Sequence, residues 1–340
     1  MHIGRGYKVT DFLVWTGWEA GCLIAWSLLV TLFLQISHWT FLTIPAAILT
    51  IIGSALAIVI AFKNQQAYAR FDHALALAGQ VSANSLILAN KLIAAIGNLD
   101  PAQSGPRLKD MFYRHFAWLT ALRFFLRESK AWENASERGN VWFLAKLPTP
   151  ESRSALKDEL KAYLSNAELL DVLSHRGDRE AFILHLQYKA VSDLNDRKLI
   201  NEYTAALLAG ALDDLARVQG GLKRIKSYPY ARNYYSLAVI LVAVFVAMLP
   251  FGFFPYAQEL GESAGIERWT AWLNVPFSAV VGWVFVSLEK VGENSANPFE
   301  GGANDVPISS IARRIEIEMR TMLGEQTDLK PLEAKRDILL

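Results

Sequence analysis

The stretch AGCLIAWSLLVTLFLQISHWTFLTIPAAILTIIGSALAIVIAF, residues 20–62, contains no Asp, Glu, Lys or Arg. About 20 apolar residues in a helix suffice to cross the hydrocarbon core of a bilayer. The run is therefore long enough for two crossings, and it divides at His38 and Trp39, which suit a membrane interface. We expect membrane helices near residues 20–37 and 40–62.

Two further uncharged runs lie towards the C-terminal end, at residues 233–258 and 269–288. Each is about one bilayer long, so the pattern predicts four crossings in two hairpins. The alternative is a set of buried helices in a large soluble protein. Between the second and third crossings, apolar residues recur at helical spacing. The predicted fold class is therefore all-α, with four transmembrane helices plus a helical cytosolic region.

Basic residues near the crossings predict the orientation, because Lys and Arg favour the cytoplasmic side. They are frequent before the third crossing and nearly absent from the 37–40 and 256–268 connections. Both termini are thus predicted to be cytoplasmic. We expect a C-terminal amphipathic helix within ISSIARRIEIEMRTMLGE and a weakly ordered tail beyond Gly324. The predicted segments are 1–62 with crossings one and two, 63–232 as the cytosolic helical region, 233–289 with crossings three and four, and 290–340 as the cytosolic C-terminal segment.

The composition and motifs exclude several function classes. A net charge of +1 over 340 residues argues against a nucleic-acid binder. Cys22 is the only cysteine, which excludes intrachain disulfides and cysteine-based zinc sites. The six His are scattered, and the sequence has no H-E-x-x-H, nucleophile elbow or Gly-rich phosphate loop. We therefore expect neither enzymatic activity nor a cofactor.

One face of the second crossing has a distinct pattern. Ser54, Ile58 and Phe62 recur every four residues and so share a helix face. Small residues that would let neighbouring helices approach lie around them: Gly53, Ala55 and Ala57. Ordinary packing explains this spacing, and the alternative is a narrow apolar pore lining, which gates ions by a dehydration barrier. The pore interpretation requires several subunits around an axis, because one helix encloses nothing.

Three blocks of sequence resemble a known family. FKNQQAYARFDHA, residues 62–74, resembles the F-[RK]-N-x-x-x-Y-x-R-F segment after the second membrane helix of bacterial bestrophins. LARVQGGLKRIKSYPYARNYYSLAVILVAVFVAMLPFG, residues 215–252, is similar to their Gly pair, basic turn, aromatic-proline linker and third helix. NPFEGGANDVPISSIARRIEIEM, residues 297–319, resembles their N/D-P-F…N-D-L-P…I-E element, with Val306 in place of the usual Leu.

The bestrophin resemblance implies a homopentamer around a central pore, with a hydrophobic neck and a narrower cytosolic constriction. Counting from the shared blocks, the neck falls on Ser54, Ile58 and Phe62, so its outermost ring is a hydroxyl. The constriction falls on Tyr203, with Thr204 as the next candidate. Lys63 would begin the cytosolic vestibule. Residues expected to join the helix continuation to its neighbours form a structural junction: Asn64, Tyr68 and Arg70.

The resemblance also bears on calcium, which animal relatives bind with an acidic run after N-P-F. The corresponding run here, EGGAND, has only two carboxylates, Glu300 and Asp305. Calcium prefers six to eight oxygen ligands, so we expect no metal at the degenerate calcium-site positions Asn297 and Asp305. The alternative role is a turn in which Asn304 or Asp305 caps the next helix.

These observations predict a bestrophin-like ion channel in the cell inner membrane of a bacterium. Its partners would be permeant monovalent ions, the lipid bilayer and copies of itself, without nucleic acid. The channel could select chloride and other anions, as animal relatives do, or monovalent cations such as sodium. The sequence allows both, because an apolar neck does not select by charge. A non-conducting membrane scaffold is the main alternative. A secondary transporter would show an inverted repeat or a broken helix, and neither is seen.

Overall fold

The computed structural model describes residues 1–7, 9–97, 99, 101–133, 140–141, 145–262 and 267–340. Within these ranges the regular secondary structure is helical, apart from isolated β-bridges. Four helix segments are long and apolar enough to cross a membrane, so the predicted all-α class with four such helices is confirmed. The α-helices are α1 (Val9–Ser37), α2 (Ala46–Ile96), α3 (Pro101–Arg127), α4 (Leu156–Leu160), α5 (Asn166–Ser174), α6 (Arg179–Asp196), α7 (Glu202–Ser227), α8 (Arg232–Glu262), α9 (Glu267–Thr270), α10 (Asn274–Ala296) and α11 (Ile308–Met322).

The chain divides into two compact units, each made of separate stretches of sequence. The membrane unit contains residues 5–70 and 229–297, and the helical unit contains residues 1–4, 71–228 and 298–340. The stretches of the membrane unit are longer than the uncharged runs, because its helices continue past the last apolar residue into polar sequence.

The second apolar helix begins later than expected. A 3₁₀ turn at Thr40–Leu42 follows α1, and α2 starts only at Ala46, directly after Pro45. Proline has a fixed φ and no N–H, which suits the start of a helix, and the Pro45 carbonyl accepts a hydrogen bond from the Ile48 N–H at 2.9 Å. The prediction of a crossing that starts near residue 40 is therefore wrong by about one and a half turns.

Buried polar side chains fix the packing of the membrane unit, in which α1 contacts α8 and α10. Asn274 is fully buried, and its Nδ2 donates to Thr31 Oγ1 at 2.9 Å and to the Pro250 carbonyl at 3.0 Å. Trp283 Nε1 donates to Thr16 Oγ1 at 3.0 Å. Because an unpaired polar group in an apolar interior is costly, these bonds select one register for each helix.

A proline inside α8 makes a second connection possible. Pro255 has no N–H, so the carbonyl of Phe251 lacks its usual partner four residues on. The Ile44 N–H donates to that carbonyl instead, at 3.2 Å. The segment just before α2 is thereby hydrogen-bonded to α8.

The helical unit has its own core, in which α3 packs against α6, α7 and α11. Trp118 on α3 is fully buried, and its Nε1 donates to Gln219 Oε1 on α7 at 2.6 Å. A Cβ at Gly221 would lie 3.0 Å from Leu77 Cδ1, so the Gly pair of α7 allows a close approach to α2 within this unit.

The C-terminal tail is docked, so the expectation of a weakly ordered tail is wrong. The N–H of Ser310, in the first turn of α11, donates to the Leu340 carbonyl at 2.8 Å. The N–H groups of a first helical turn lack intrahelical partners, and the tail supplies one. The N–H groups of Leu339 and Ile3 donate to the carbonyls of Met1 and Asp337, at 2.9 and 2.8 Å. The predicted amphipathic helix itself is confirmed as α11.

Candidate pore-lining face

The membrane part of α2 has one packed face and one open face. Leu49, Leu56 and Ile60 are buried in a cluster with residues of α8. The predicted neck residues lie on the other side of the helix: Ile58 is 58 % exposed, Phe62 is 65 % exposed, and Ser54 is also exposed. The structure thus leaves all three in one open row, which we call the neck face.

The hydroxyl in the neck face is bound to its own helix. Ser54 Oγ donates to the Thr50 carbonyl at 2.7 Å. This bond to the residue four positions earlier is a common arrangement for Ser in a helix interior. The proton of the hydroxyl is therefore occupied, and Ser54 offers only its oxygen lone pairs to the surroundings.

The small residues near the neck face have two different environments. Gly53 is buried, and a Cβ there would lie 3.0 Å from Phe245 Cζ of α8. Ala55 and Ala57 are exposed instead. Gly53 thus serves packing within the subunit, whereas the two alanines leave a shallow surface beside the neck face.

The junction after the neck face is held by polar contacts within the membrane unit. Asn64 Nδ2 donates to the Leu288 carbonyl of α10 at 2.8 Å. A Cβ at Gly292 would lie 1.8 Å from Asn64 Oδ1, so only glycine leaves space for this side chain. Of the other two predicted junction residues, Tyr68 is exposed and Arg70 is half-buried.

Lys63 is not available to a vestibule, contrary to our expectation. It is 2 % exposed and forms an ion pair with Glu289 of α10. Its Nζ also lies 4.9 Å from the centroid of the Tyr235 ring, and the Tyr235 hydroxyl donates to Glu293 Oε1 at 2.5 Å. The reason is the turn of the helix: Lys63 follows Phe62 by 100° and so points to the packed side.

The predicted cytosolic constriction lies at the start of α7, in the helical unit. Tyr203 is 74 % exposed, and Thr204 beside it is half-buried. Asn201 caps the helix, its Oδ1 accepting the Thr204 N–H at 2.8 Å. The helix start is therefore well defined, and it presents one open aromatic ring.

Most of the chain matches one protein family. A family model described as Bacterial/Fungal Bestrophin protein matches residues 18–321. The chain belongs to the bestrophin family. With four helices that could span a bilayer, this bestrophin is a membrane protein.

Relatives of this bestrophin carry channel names. It is 23 % identical over 318 residues to the "Voltage-dependent anion channel-forming protein YneE" of Salmonella typhi, covering 92 % of this chain and 88 % of that protein. It is 24 % identical over 290 residues to the "Voltage-dependent anion channel-forming protein RSc3414" of Ralstonia nicotianae, with coverages of 85 % and 81 %. A solved bacterial bestrophin homologue from Klebsiella pneumoniae shares its fold, with a TM-score of 0.75 at 19 % identity over 91 % of this chain and 99 % of that one.

The turn at residues 298–306 of this bestrophin is closed by Asp305. Its Oδ1 accepts the N–H groups of Phe299 and Val306, at 2.5 and 2.6 Å. Its Oδ2 accepts the Gly301 N–H at 2.6 Å and Arg127 Nη1 at 2.5 Å. Both carboxylate oxygens are thus already bound to donors.

The helix-capping alternative for this turn is wrong in its detail. The N-cap of α11 is Pro307, and it forms no side-chain cap. Asp305 binds N–H groups of the turn itself. Asn297, the other degenerate calcium-site position, is the C-cap residue of α10.

Two buried ion pairs were not predicted from the sequence, Lys63 with Glu289 and Arg127 with Asp305, and each joins residues far apart in the chain. Lys63 and Glu289 are both the first charged residues after an apolar run, so their equivalent positions were a usable signal. No such signal exists for the contact of Arg127, because nothing in the local sequence at the end of α3 relates it to Asp305.

Proposed function

We propose that this bestrophin is a homopentameric channel that conducts small monovalent anions across the inner membrane of a bacterium. The neck face of Ser54, Ile58 and Phe62 would line its narrowest membrane part. The observation that carries the proposal is the composition of the open side of α2. Beside the neck face it exposes four alanines and one threonine: Ala47, Thr50, Ala55, Ala57 and Ala61. In the membrane part of α2 the bulky exposed residues besides Ile58 and Phe62 are Ile48 and Ile51, 45 % and 70 % exposed, and Ile51 lies within about 20° of Ile58 around the helix.

Small exposed residues favour another helix over lipid as the neighbour of this surface. Close helix contacts in membranes are formed by small side chains, whereas lipid is met by bulky apolar ones. Bulky exposed residues occur on α8 and α10, where Ile240 is 59 % and Val280 is 57 % exposed, and each of these helices has fewer exposed alanines than the open side of α2. Copies of α2 arranged around an axis would cover the alanines and leave Ile58 and Phe62 facing the centre.

A ring of Ile58 and a ring of Phe62 would act as a dewetting gate. Apolar constrictions stop ions because the ions must shed water without gaining a ligand. The ring of Ser54 above them would be less apolar, since its oxygen lone pairs remain free. Tyr203, with Thr204 beside it, would form the second constriction, on the cytosolic side.

The anion preference is supported by the names of the relatives, which describe anion channels. The pentamer and the cytoplasmic termini come from the bestrophin resemblance and the distribution of basic residues. We propose a channel without enzymatic activity and without bound metal. The saturated carboxylate of Asp305 supports the absence of calcium at that position.

Planar bilayers test this function directly. The purified protein should give discrete currents, and in asymmetric NaCl their reversal potential should lie towards the chloride equilibrium potential. The mass of the detergent-solubilised complex should be that of a pentamer of 37.9 kDa chains. A stable pentamer without current would favour the scaffold alternative, and a monomer would rule out the neck.

Cysteine accessibility tests the neck face itself. In a Cys22→Ser background, which removes the exposed native thiol, Ile58→Cys and Phe62→Cys should react with small charged thiol reagents and block current. Ile240→Cys is the matched control, because Ile240 is as exposed as Ile58 but lies on α8. Equal reaction at positions 58 and 240 would contradict the neck assignment.

A further inference from the structure

The charges of α2 are distributed unevenly around the helix. It carries four formally charged side chains: Lys63, Arg70, Asp72 and Lys91. Lys63 is buried in its ion pair, and Lys91 Nζ donates to a main-chain carbonyl of α7 at 3.2 Å. Arg70 is half-buried. Asp72 is exposed, and its carboxylate has no hydrogen-bond or ion-pair partner among the residues that the structure describes.

Helix geometry places Asp72 in the row of the neck face. α2 is one helix from Ala46 to Ile96. Asp72 follows Ser54 by five full turns of 3.6 residues, so the two share a direction; Ile58 lies about 40° away and Phe62 about 80° away, which puts Asp72 at the Ser54 edge of the face. The helix surface in between is exposed and uncharged at Gln65 and Ala69.

We propose that Asp72 weakens the anion preference of the channel. In a pentamer its carboxylates would form a ring about 15 Å beyond Phe62 along the helix axis, given a rise of 1.5 Å per residue. A ring of acidic side chains concentrates cations and repels anions at a pore mouth. This inference rests on the proposed function, because it requires that the neck face lines the ion path.

Because the neck is apolar, the charge of the Asp72 ring has a large influence on which ions pass. Ile58 and Phe62 impose a barrier on ions of either sign, so they cannot set the sign that passes. The basic residues of α2 are turned away or engaged, which leaves Asp72 as the charge that permeating ions meet along this helix. The ring therefore lowers the anion preference that the pore would otherwise have.

Charge removal tests the assignment, with the purified full-length protein in planar bilayers. Asp72→Asn should move the reversal potential in asymmetric NaCl towards the chloride equilibrium potential. We expect the chloride-to-sodium permeability ratio to rise by up to about tenfold at low salt, the lower end of electrostatic focusing. The change should shrink at high salt, because the screening length falls to about 3 Å at 1 M.

Asp171→Asn is the matched control, since Asp171 is an exposed carboxylate on α5 rather than on α2. It should keep the reversal potential of the parent. Asp72→Cys in the Cys22→Ser background adds a second measurement, in which a negative thiol reagent restores the parent value and a positive one shifts it further towards chloride.

The outcomes separate this inference from the function beneath it. Currents with an unchanged reversal potential in Asp72→Asn, and no response to the sign of the reagent, overturn the role of Asp72 but leave the channel intact. A parent protein that passes no current overturns the proposed function and this role together.

Discussion

The neck face and the turn at residues 298–306 differ in how their side chains are satisfied. In the turn, the carboxylate of Asp305 accepts three main-chain N–H groups and Arg127. In the neck face, Ile58 and Phe62 are more than half exposed. Both segments were marked by the bestrophin resemblance, yet one is complete within a single chain and the other is not.

The difference indicates where function can reside. A turn whose central carboxylate already accepts four donors has little capacity left for a cation, and that carboxylate contributes to stability. An open row of apolar side chains contributes little to the stability of one subunit. Its function depends on contacts between subunits. Substitutions in the two segments should therefore separate stability from conductance.

The largest effect on stability is expected for Arg127→Ala. Arg127 and Asp305 are 4 % and 6 % exposed, and removing one partner of a buried ion pair typically costs about 3–5 kcal/mol. Thermal unfolding in detergent should show a large loss. The control Arg217→Ala breaks an exposed pair with Asp214, for which at most about 1 kcal/mol is expected. Similar losses for both variants would show that the turn does not depend on its ion pair.

A second effect on stability, confined to acidic pH, is expected from His115, a buried side chain with one hydrogen-bond partner. Its Nε2 donates to Ser85 Oγ at 2.9 Å, because the Ser85 hydroxyl proton is engaged with the Val81 carbonyl. Burial lowers the pKa of His115 to about 3, below its usual value of 6.5.

The pKa shift fixes the sign of the pH dependence. Between pH 6.5 and 3 the unfolded chain binds a proton at His115 that the folded protein excludes. The free energy of unfolding therefore decreases as the pH is lowered, by up to about 1.4 kcal/mol per pH unit. His115→Gln should flatten this acid limb in unfolding titrations. An unchanged slope would mean that His115 does not titrate differently on unfolding.

Little effect on stability, but a clear effect on current, is expected at the neck face. Ile58→Ala and Phe62→Ala remove exposed apolar groups, so unfolding should change by no more than about 0.5 kcal/mol. Conductance or open probability should rise, because the wider ring admits water. Ile240→Ala is the matched control on α8 and should behave like the parent. If both neck variants also conduct like the parent, the neck lies elsewhere.

No effect is expected from calcium. Strong calcium sites use carboxylates as most of their oxygen ligands, and Asp305 already accepts four donors. Calorimetry and bilayer recordings should give no saturable response at micromolar calcium. A response in that range that disappears in Asp305→Ala would contradict the comparison between the two segments.

Local patterns carried most of the sequence prediction. The uncharged runs predicted the membrane helices, and the four-residue spacing predicted the row of Ser54, Ile58 and Phe62, because both depend only on neighbouring residues. The start of α2 was missed because Pro45 and the turn before it override hydropathy. The partners of Lys63 and Asp305 lie 226 and 178 residues away, and no local pattern encodes such contacts.

The ion pair between Lys63 and Glu289 also has a consequence for biogenesis. Glu289 is synthesised 226 residues after Lys63, which takes roughly 10–45 s at ordinary elongation rates. During that interval the ammonium ends an apolar segment without its counter-charge, and its long side chain must reach towards the headgroups. The positive charge of Lys63, at the end of the second span, is therefore neutralised only when the last span inserts. A nascent chain released before Glu289 would carry an uncompensated charge at the bilayer boundary.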